Sequence, residues 1–80
     1  MKAVLEAVAV TAEDGRPIRV AWKGRTWPVL KVRDEWEVGG RWWHGEPDRE
    51  YWLLETNLGL LEVYRELGGE ERWLLSRVQD

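Results

Sequence analysis

Apolar residues in this chain recur mostly at every second position, in short runs broken by polar clusters that carry glycine. That pattern predicts strands joined by turns. Val4 to Thr11 reads as a first strand, with Val8 and Val10 alternating against Ala7 and Ala9. Glu13-Asp14-Gly15 is a turn, Gly15 being suited to a positive φ. Pro17 to Trp22 and Arg25 to Val32 form a predicted hairpin around Lys23-Gly24. With those two residues as the loop, Trp22 faces Arg25, Val20 faces Trp27, Ile18 faces Val29 and Arg16 faces Lys31. Ile18, Val20, Trp22, Trp27 and Val29 then share one apolar face.

Beyond Val29 the parity changes. Trp27 and Val29 are odd-numbered, whereas Leu30, Val32, Trp36 and Val38 are even. Side chains alternate strictly along a strand, so the switch predicts a bulge or sharp bend between Leu30 and Glu35. A long strand that bends from one side of a core to the other is what a small barrel requires. Gly39 to Glu50 reads as a long loop carrying Arg41-Trp42-Trp43, and loops of that length are functional or packed by their own side chains. Tyr51 to Thr56, Leu60 to Leu67 and Arg72 to Gln79 are the remaining strands, separated by Asn57-Leu58-Gly59 and Gly68-Gly69-Glu70. Residues 60–67 also fit an amphipathic helix capped by Gly68, and periodicity slightly favours that alternative.

Composition alters the picture in a few places. Eighty residues make one domain, 1–80, with a modest core. Seven tryptophans and no phenylalanine assign tryptophan much of the packing. Each indole can bury ~200 Å², about 5 kcal/mol at ~25 cal/mol per Å². The absence of cysteine excludes disulfides, thiolate zinc sites and a thiol nucleophile. Glu6 comes too early for a signal peptide, and no apolar run approaches the ~20 residues of a membrane span. The expected location is the cytoplasm, with no membrane partner. The 34% charged content, rich in Glu and Arg, suits a thermophilic source.

A net charge of −3 argues against a general duplex-DNA binder. The charge is uneven: Arg16, Arg19, Lys23, Arg25, Lys31 and Arg33 lie in a stretch without a single acid. Two readings stay open there, ordinary strand-surface charge and a local patch for an anionic ligand.

Candidate chemistry is sparse. His44, the one histidine, has Glu46, Asp48 and Glu50 nearby, a weak metal set in a loop with no second histidine. Ser76 has no nucleophile elbow around it. Glu35 and Glu37 share a face opposite Trp36, which reads as solvent-facing. The pairs Gly39-Gly40 and Gly68-Gly69 match no phosphate-binding fingerprint. No catalytic residue, metal or cofactor is expected.

Arg16-Pro17, Gly24-Arg25, Arg41-Trp42-Trp43, Tyr51-Trp52, Tyr64-Arg65 and the closing run Trp73 to Asp80 follow one another at characteristic spacing. In this the chain resembles a family of small bacterial tryptophan-rich domains of unknown function (DUF6504-like). It is also similar to the C-terminal tail of the Y-family-polymerase-like subunit of the bacterial mutasome, a translesion-synthesis assembly. The resemblance covers about residues 15 to 80. It implies an all-β fold, a strand at residues 60–67, and a neighbourhood in DNA-damage tolerance; it implies no reaction. The expected architecture is a small antiparallel, barrel-like (SH3-like) sheet of five to six strands with one long tryptophan-rich loop.

Adjacent residues in Arg41-Trp42-Trp43 do not all enter one core, so one indole is expected to pack and the other to stay partly exposed. Exposed Trp beside Arg is a recurrent anchor for protein partners and for stacking single-stranded bases. The expected binding site is Arg41, Trp42 and Trp43, with Tyr51 and Trp52 behind them. The expected function is a non-enzymatic binding or scaffolding module, with a protein partner or single-stranded nucleic acid as ligand. The alternative is a structural β domain that self-associates as a homodimer.

Overall fold

A computed structural model describes residues 2–57, 59–68 and 72–79, excluding the side chains of residues 2–4 and 42. Six strands follow in chain order: β1 (Lys2–Glu13), β2 (Arg16–Trp22), β3 (Arg25–Val38), β4 (Arg49–Thr56), β5 (Gly59–Glu66) and β6 (Arg72–Gln79). Each pairs antiparallel with the next, and β6 returns to β1, which closes the barrel. Among the described residues the one helical element is a 3₁₀ turn, Trp42–His44. The expected turn residues Leu58, Gly69 and Glu70, and Asp80 of the closing run, lie outside the described residues.

The β1–β2 and β2–β3 connections are two-residue turns. Asp14 and Gly15, then Lys23 and Gly24, all have positive φ. Positive φ at both central positions matches the right-handed twist of the flanking strands. The hairpin register is the expected one, Val20 opposite Trp27 and Trp22 opposite Arg25. One member of its apolar face is misplaced. A register shift between Thr11 and Ala12 puts Ala12 opposite Pro17 and Thr11 opposite Arg19. Ile18 is the extra residue, so Pro17 turns inward and Ile18 is exposed.

The parity change in β3 is real and double. Against β4 the register slips between Val29 and Lys31, then again between Val32 and Asp34. The first slip turns Val32 onto the core and leaves Leu30 outside at 62% exposure. The second reverses the sense once more, so Trp36 and Val38 lie on the outer side. Asp34 braces this bend by accepting the Glu35 backbone N–H at 2.9 Å. Two bulges let one fourteen-residue strand pair with β2 at one end and β4 at the other.

Residues 60–67, open between strand and helix by pattern, are mostly strand β5. Leu61 and Val63 point into the barrel, opposite Leu54 and Trp52. Tyr64 breaks the alternation because it is buried on the outer side, under Arg49, whose guanidinium lies 4.9 Å from its ring centre. An extra buried residue outside the core is what made the run look helical. The core itself is Val20, Trp27, Trp52, Leu54, Leu61, Val63 and Leu75, with Trp22 and Trp73 packed against it. Four of the seven tryptophans therefore serve as core or core margin.

Candidate functional site

The β3–β4 ribbon and its loop gather the chemistry of the molecule. Strand β4 begins at Arg49, so the connecting loop spans 39–48, slightly shorter than its sequence pattern predicts. It is tied internally. The Gly40 N–H donates to Asp48 Oδ1 at 3.0 Å and the Arg41 N–H to Glu46 Oε2 at 3.3 Å. The carbonyl of Arg41 accepts from the N–H groups of His44 and Glu46, and the Leu67 N–H reaches the Asp48 carbonyl at 2.9 Å. The acids flanking His44 are thus engaged in closing the loop, while Glu50 pairs with Arg65 at 2.6 Å. Among the described residues no three His, Cys, Asp or Glu are arranged to hold a metal ion.

The closed loop displays its side chains. Trp43 is 63% exposed, with His44 set edge-on to its ring at 6.1 Å. Arg41 is exposed and lies 3.5 Å from Glu46. The Trp42 backbone belongs to the 3₁₀ turn, but its side chain lies outside the described residues.

Tyr51 and Trp52 do not form one surface behind this loop. They are neighbours on a strand, so they face opposite ways. Trp52 is 6% exposed and part of the core. Tyr51 lies outside, in a row that runs across three strands. Trp36, Tyr51 and Tyr64 are register partners in succession. The Trp36 and Tyr51 rings stack at 5.4 Å with planes 4° apart, and Tyr51 meets Tyr64 at 5.0 Å. A hydrogen bond that the Arg49 guanidinium donates to the Tyr51 hydroxyl oxygen is the main reason Arg49 is held above its ordinary range, although partial burial opposes the shift. Trp36, Tyr64 and Arg49 are the members of this face that the sequence did not single out as a site. Their signal was present: each occupies the outward parity of its strand, once the second bulge in β3 is known.

The other side of the ribbon is acidic. Glu35 is opposite Trp52 and Glu37 is opposite Glu50. Glu35 and Glu37 do share a face opposite Trp36 and both are exposed, as expected; the second bulge sets that face on the Trp52 side of the ribbon. There they line a shallow cavity of about 260 Å³ with Glu50, Trp36 and Trp52. The basic stretch 16–33 makes no comparable gathering. Arg33 pairs with Glu55 at 2.8 Å and Lys23 lies over the Trp22 ring at 4.6 Å.

The model of a family described as a domain of unknown function (DUF6504) matches residues 2–80. No curated protein and no solved structure matches the chain.

Proposed function

Since the chain belongs to the DUF6504 family, whose description names no activity, we propose from its surfaces that it is a non-enzymatic module that docks a protein partner on the outer face of the β3–β4 ribbon. One observation carries this reading. Of the large apolar side chains left exposed, Trp36, Val38 and Trp43 all belong to this ribbon and its loop. Exposed Trp and Tyr beside Arg are the residue types that dominate binding energy at protein interfaces. Here Arg41 and Arg49 supply the cationic rim, and the hydrogen-bonded loop holds Trp43 in place in advance of binding, which lowers the ordering cost. Tyr51 belongs to the docking face, whereas Trp52 supports it from the core.

A partner of nucleic acid is less well matched. Stacked aromatics suit single-stranded bases, but Glu35, Glu37 and Glu50 lie on the reverse of the same thin ribbon, and their field opposes a phosphate chain. The place of the module in DNA-damage tolerance rests on the resemblance of its motifs to the mutasome tail, and adjacency to a translesion-polymerase operon supports it where found. Self-association through the same exposed rings is the second reading, favoured by the exposure of Trp36, Val38 and Trp43 on one ribbon and its loop.

The test pairs two measurements on the whole chain. Single-stranded oligonucleotides are titrated at low and moderate salt, and mass is followed by light scattering up to high concentration. The docking reading expects no oligonucleotide binding and a monomer, together with capture of a partner from cell extract that Trp43→Ala and Trp36→Ala both abolish. Salt-dependent oligonucleotide binding lost in Trp36→Ala would replace the partner with nucleic acid. A dimer dissolved by Trp43→Ala would replace it with a second copy.

A further inference from the structure

One cation on the outer face of the ribbon has no counter-ion. Arg33, Arg41, Arg65, Arg72 and Arg77 each have a carboxylate oxygen between 2.6 and 3.7 Å away. Arg49 has none among the described residues. Its register partner on β5, Glu66, is engaged by Arg72 at 2.9 Å. Arg49 is nevertheless held in place. Its guanidinium lies 4.9 Å from the ring centre of the buried Tyr64 and donates to the Tyr51 hydroxyl oxygen. That one acceptor leaves most of the N–H donors of a guanidinium unused. None of these is among the buried polar atoms that lack a partner, so they open to solvent, where a ligand can reach them.

The same side chain walls a cleft of about 310 Å³ at the base of the loop, lined also by Val38, Arg41, Glu46 and Pro47. Val38, the β3 partner of Arg49, is 44% exposed. Glu46 is turned to Arg41, accepting its backbone N–H at 3.3 Å and lying 3.5 Å from its Nε. The cleft thus sets one fixed, unneutralised guanidinium beside apolar surface.

We propose that this cleft receives an acidic residue of the docked polypeptide, its carboxylate bonded to the unused N–H groups of Arg49 and an adjacent apolar side chain laid on Val38 and Pro47. The inference rests on the docking reading and adds what the partner presents there. A guanidinium meets a carboxylate through two parallel N–H···O bonds. One negative charge balances one cation, whereas a phosphate dianion adds a second to a face that already holds Glu46 and Glu66. Tyr51 and Tyr64 hold the guanidinium before the partner arrives, which lowers the ordering cost of binding.

The whole chain, labelled with ¹⁵N, is titrated at low salt with N-acetyl-Leu-Glu-amide, with its uncharged counterpart N-acetyl-Leu-Gln-amide and with sodium phosphate. The Arg49 Nε–H signal, identified by its loss in Arg49→Lys, is followed by NMR. The Leu-Glu compound is expected to move that signal and to bind about fivefold more tightly than the Leu-Gln compound, as an exposed ion pair of ~1 kcal/mol requires. In Arg49→Gln the two compounds bind equally. Tyr51→Phe keeps the ring and removes the hydroxyl that orients the guanidinium. It weakens the Leu-Glu compound about twofold and leaves the other unchanged. Arg33→Gln, which removes a cation outside the cleft, leaves the preference as it was.

Equal affinities of the unaltered chain for the two compounds overturn the proposal. So does a preference that persists in Arg49→Gln, or one lost as fully in Arg33→Gln, which would make it a general response to charge. Phosphate that displaces the Leu-Glu compound at a lower concentration than the compound itself also overturns it, the cleft then being a phosphate site. Should Arg49→Gln fail to fold, the comparison of the two compounds on the unaltered chain and on Tyr51→Phe still decides. Partner capture that survives Trp36→Ala and Trp43→Ala removes the docking reading and not the carboxylate preference. Capture lost in both, with no preference between the compounds, removes this inference and leaves the docking face.

Discussion

Gly40→Ala is expected to open the loop that presents Trp43, and its neighbour supplies the control. A Cβ built on Gly40 would stand 2.2 Å from the Pro47 carbonyl oxygen and 2.5 Å from that of Glu46. Both obstacles are backbone, so no rotamer change relieves them. A Cβ on Gly39 meets only Asp48 Oδ1, at an ordinary 3.9 Å. To accept alanine at 40 the two sides of the loop must separate. That breaks the Gly40–Asp48 and Arg41–Glu46 bonds and loosens the paired bonds on the Arg41 carbonyl. Four bonds at about 0.5–1 kcal/mol each, the low end because the loop is exposed, amount to roughly 2–4 kcal/mol. In a domain of this size about 1 kcal/mol moves Tm by ~4–8 °C, so a drop of about 8 °C or more is expected. Gly39→Ala is expected to leave Tm unchanged or to raise it slightly, because it narrows the unfolded ensemble by about 0.4–1 kcal/mol. Thermal unfolding followed by circular dichroism measures both, and limited trypsin digestion at Arg41 shows whether the loop has opened. Equal melting temperatures for the two alanines, with Arg41 equally protected, would refute the close packing of the loop.

Other consequences are tested by the same unfolding experiments. Val20→Thr, which places a hydroxyl at a fully buried site, is expected to cost about 1–3 kcal/mol, whereas Ile18→Thr at the bulge costs less than about 0.5 kcal/mol. Lys23 adopts a φ of 52° in a two-residue turn, so Lys23→Asn, which tolerates that conformation, is expected to raise stability by up to about 1 kcal/mol despite losing the Lys23–Trp22 contact. Glu50→Ala leaves the half-buried Arg65 without its 2.6 Å carboxylate partner and is expected to cost about 2 kcal/mol in urea unfolding, while Arg33→Ala, whose pair with Glu55 is exposed, changes stability by under about 1 kcal/mol.

Much of the fold was legible because it rests on local rules. Asp14-Gly15 and Lys23-Gly24 are turn sequences, and the apolar face of Val20, Trp22 and Trp27 admits one register only, since a slip of one residue would reverse it. The parity change after Val29 announced a bend. Less was legible in the site. Arg41 and Trp43 lie in the loop as expected, and they are exposed. Tyr51 and Trp52, adjacent in sequence and grouped for that reason, face opposite ways.

The amino-acid sequence by itself determined every strand but that at residues 60–67, which its pattern left open to helix, together with the short turns, the tryptophan-based core and the presence of one long aromatic loop. These follow from alternation, turn chemistry and side-chain volume, each of which acts over a few residues. Only the tertiary structure decided which way each side chain beyond Val29 points. Two bulges occur in β3 where one parity change was visible, and the second leaves no mark in the apolar pattern, because Trp36 and Val38 after it keep the even parity of Val32 before it. That single added residue carries Trp36 out to the stacked row with Tyr51 and sets Glu35 and Glu37 on the Trp52 side of the ribbon, where both stay exposed. A bulge is set by pairing with a partner strand distant in sequence, and so the faces of the ribbon, and whatever binds them, were fixed only when β3 met β4 and the barrel closed.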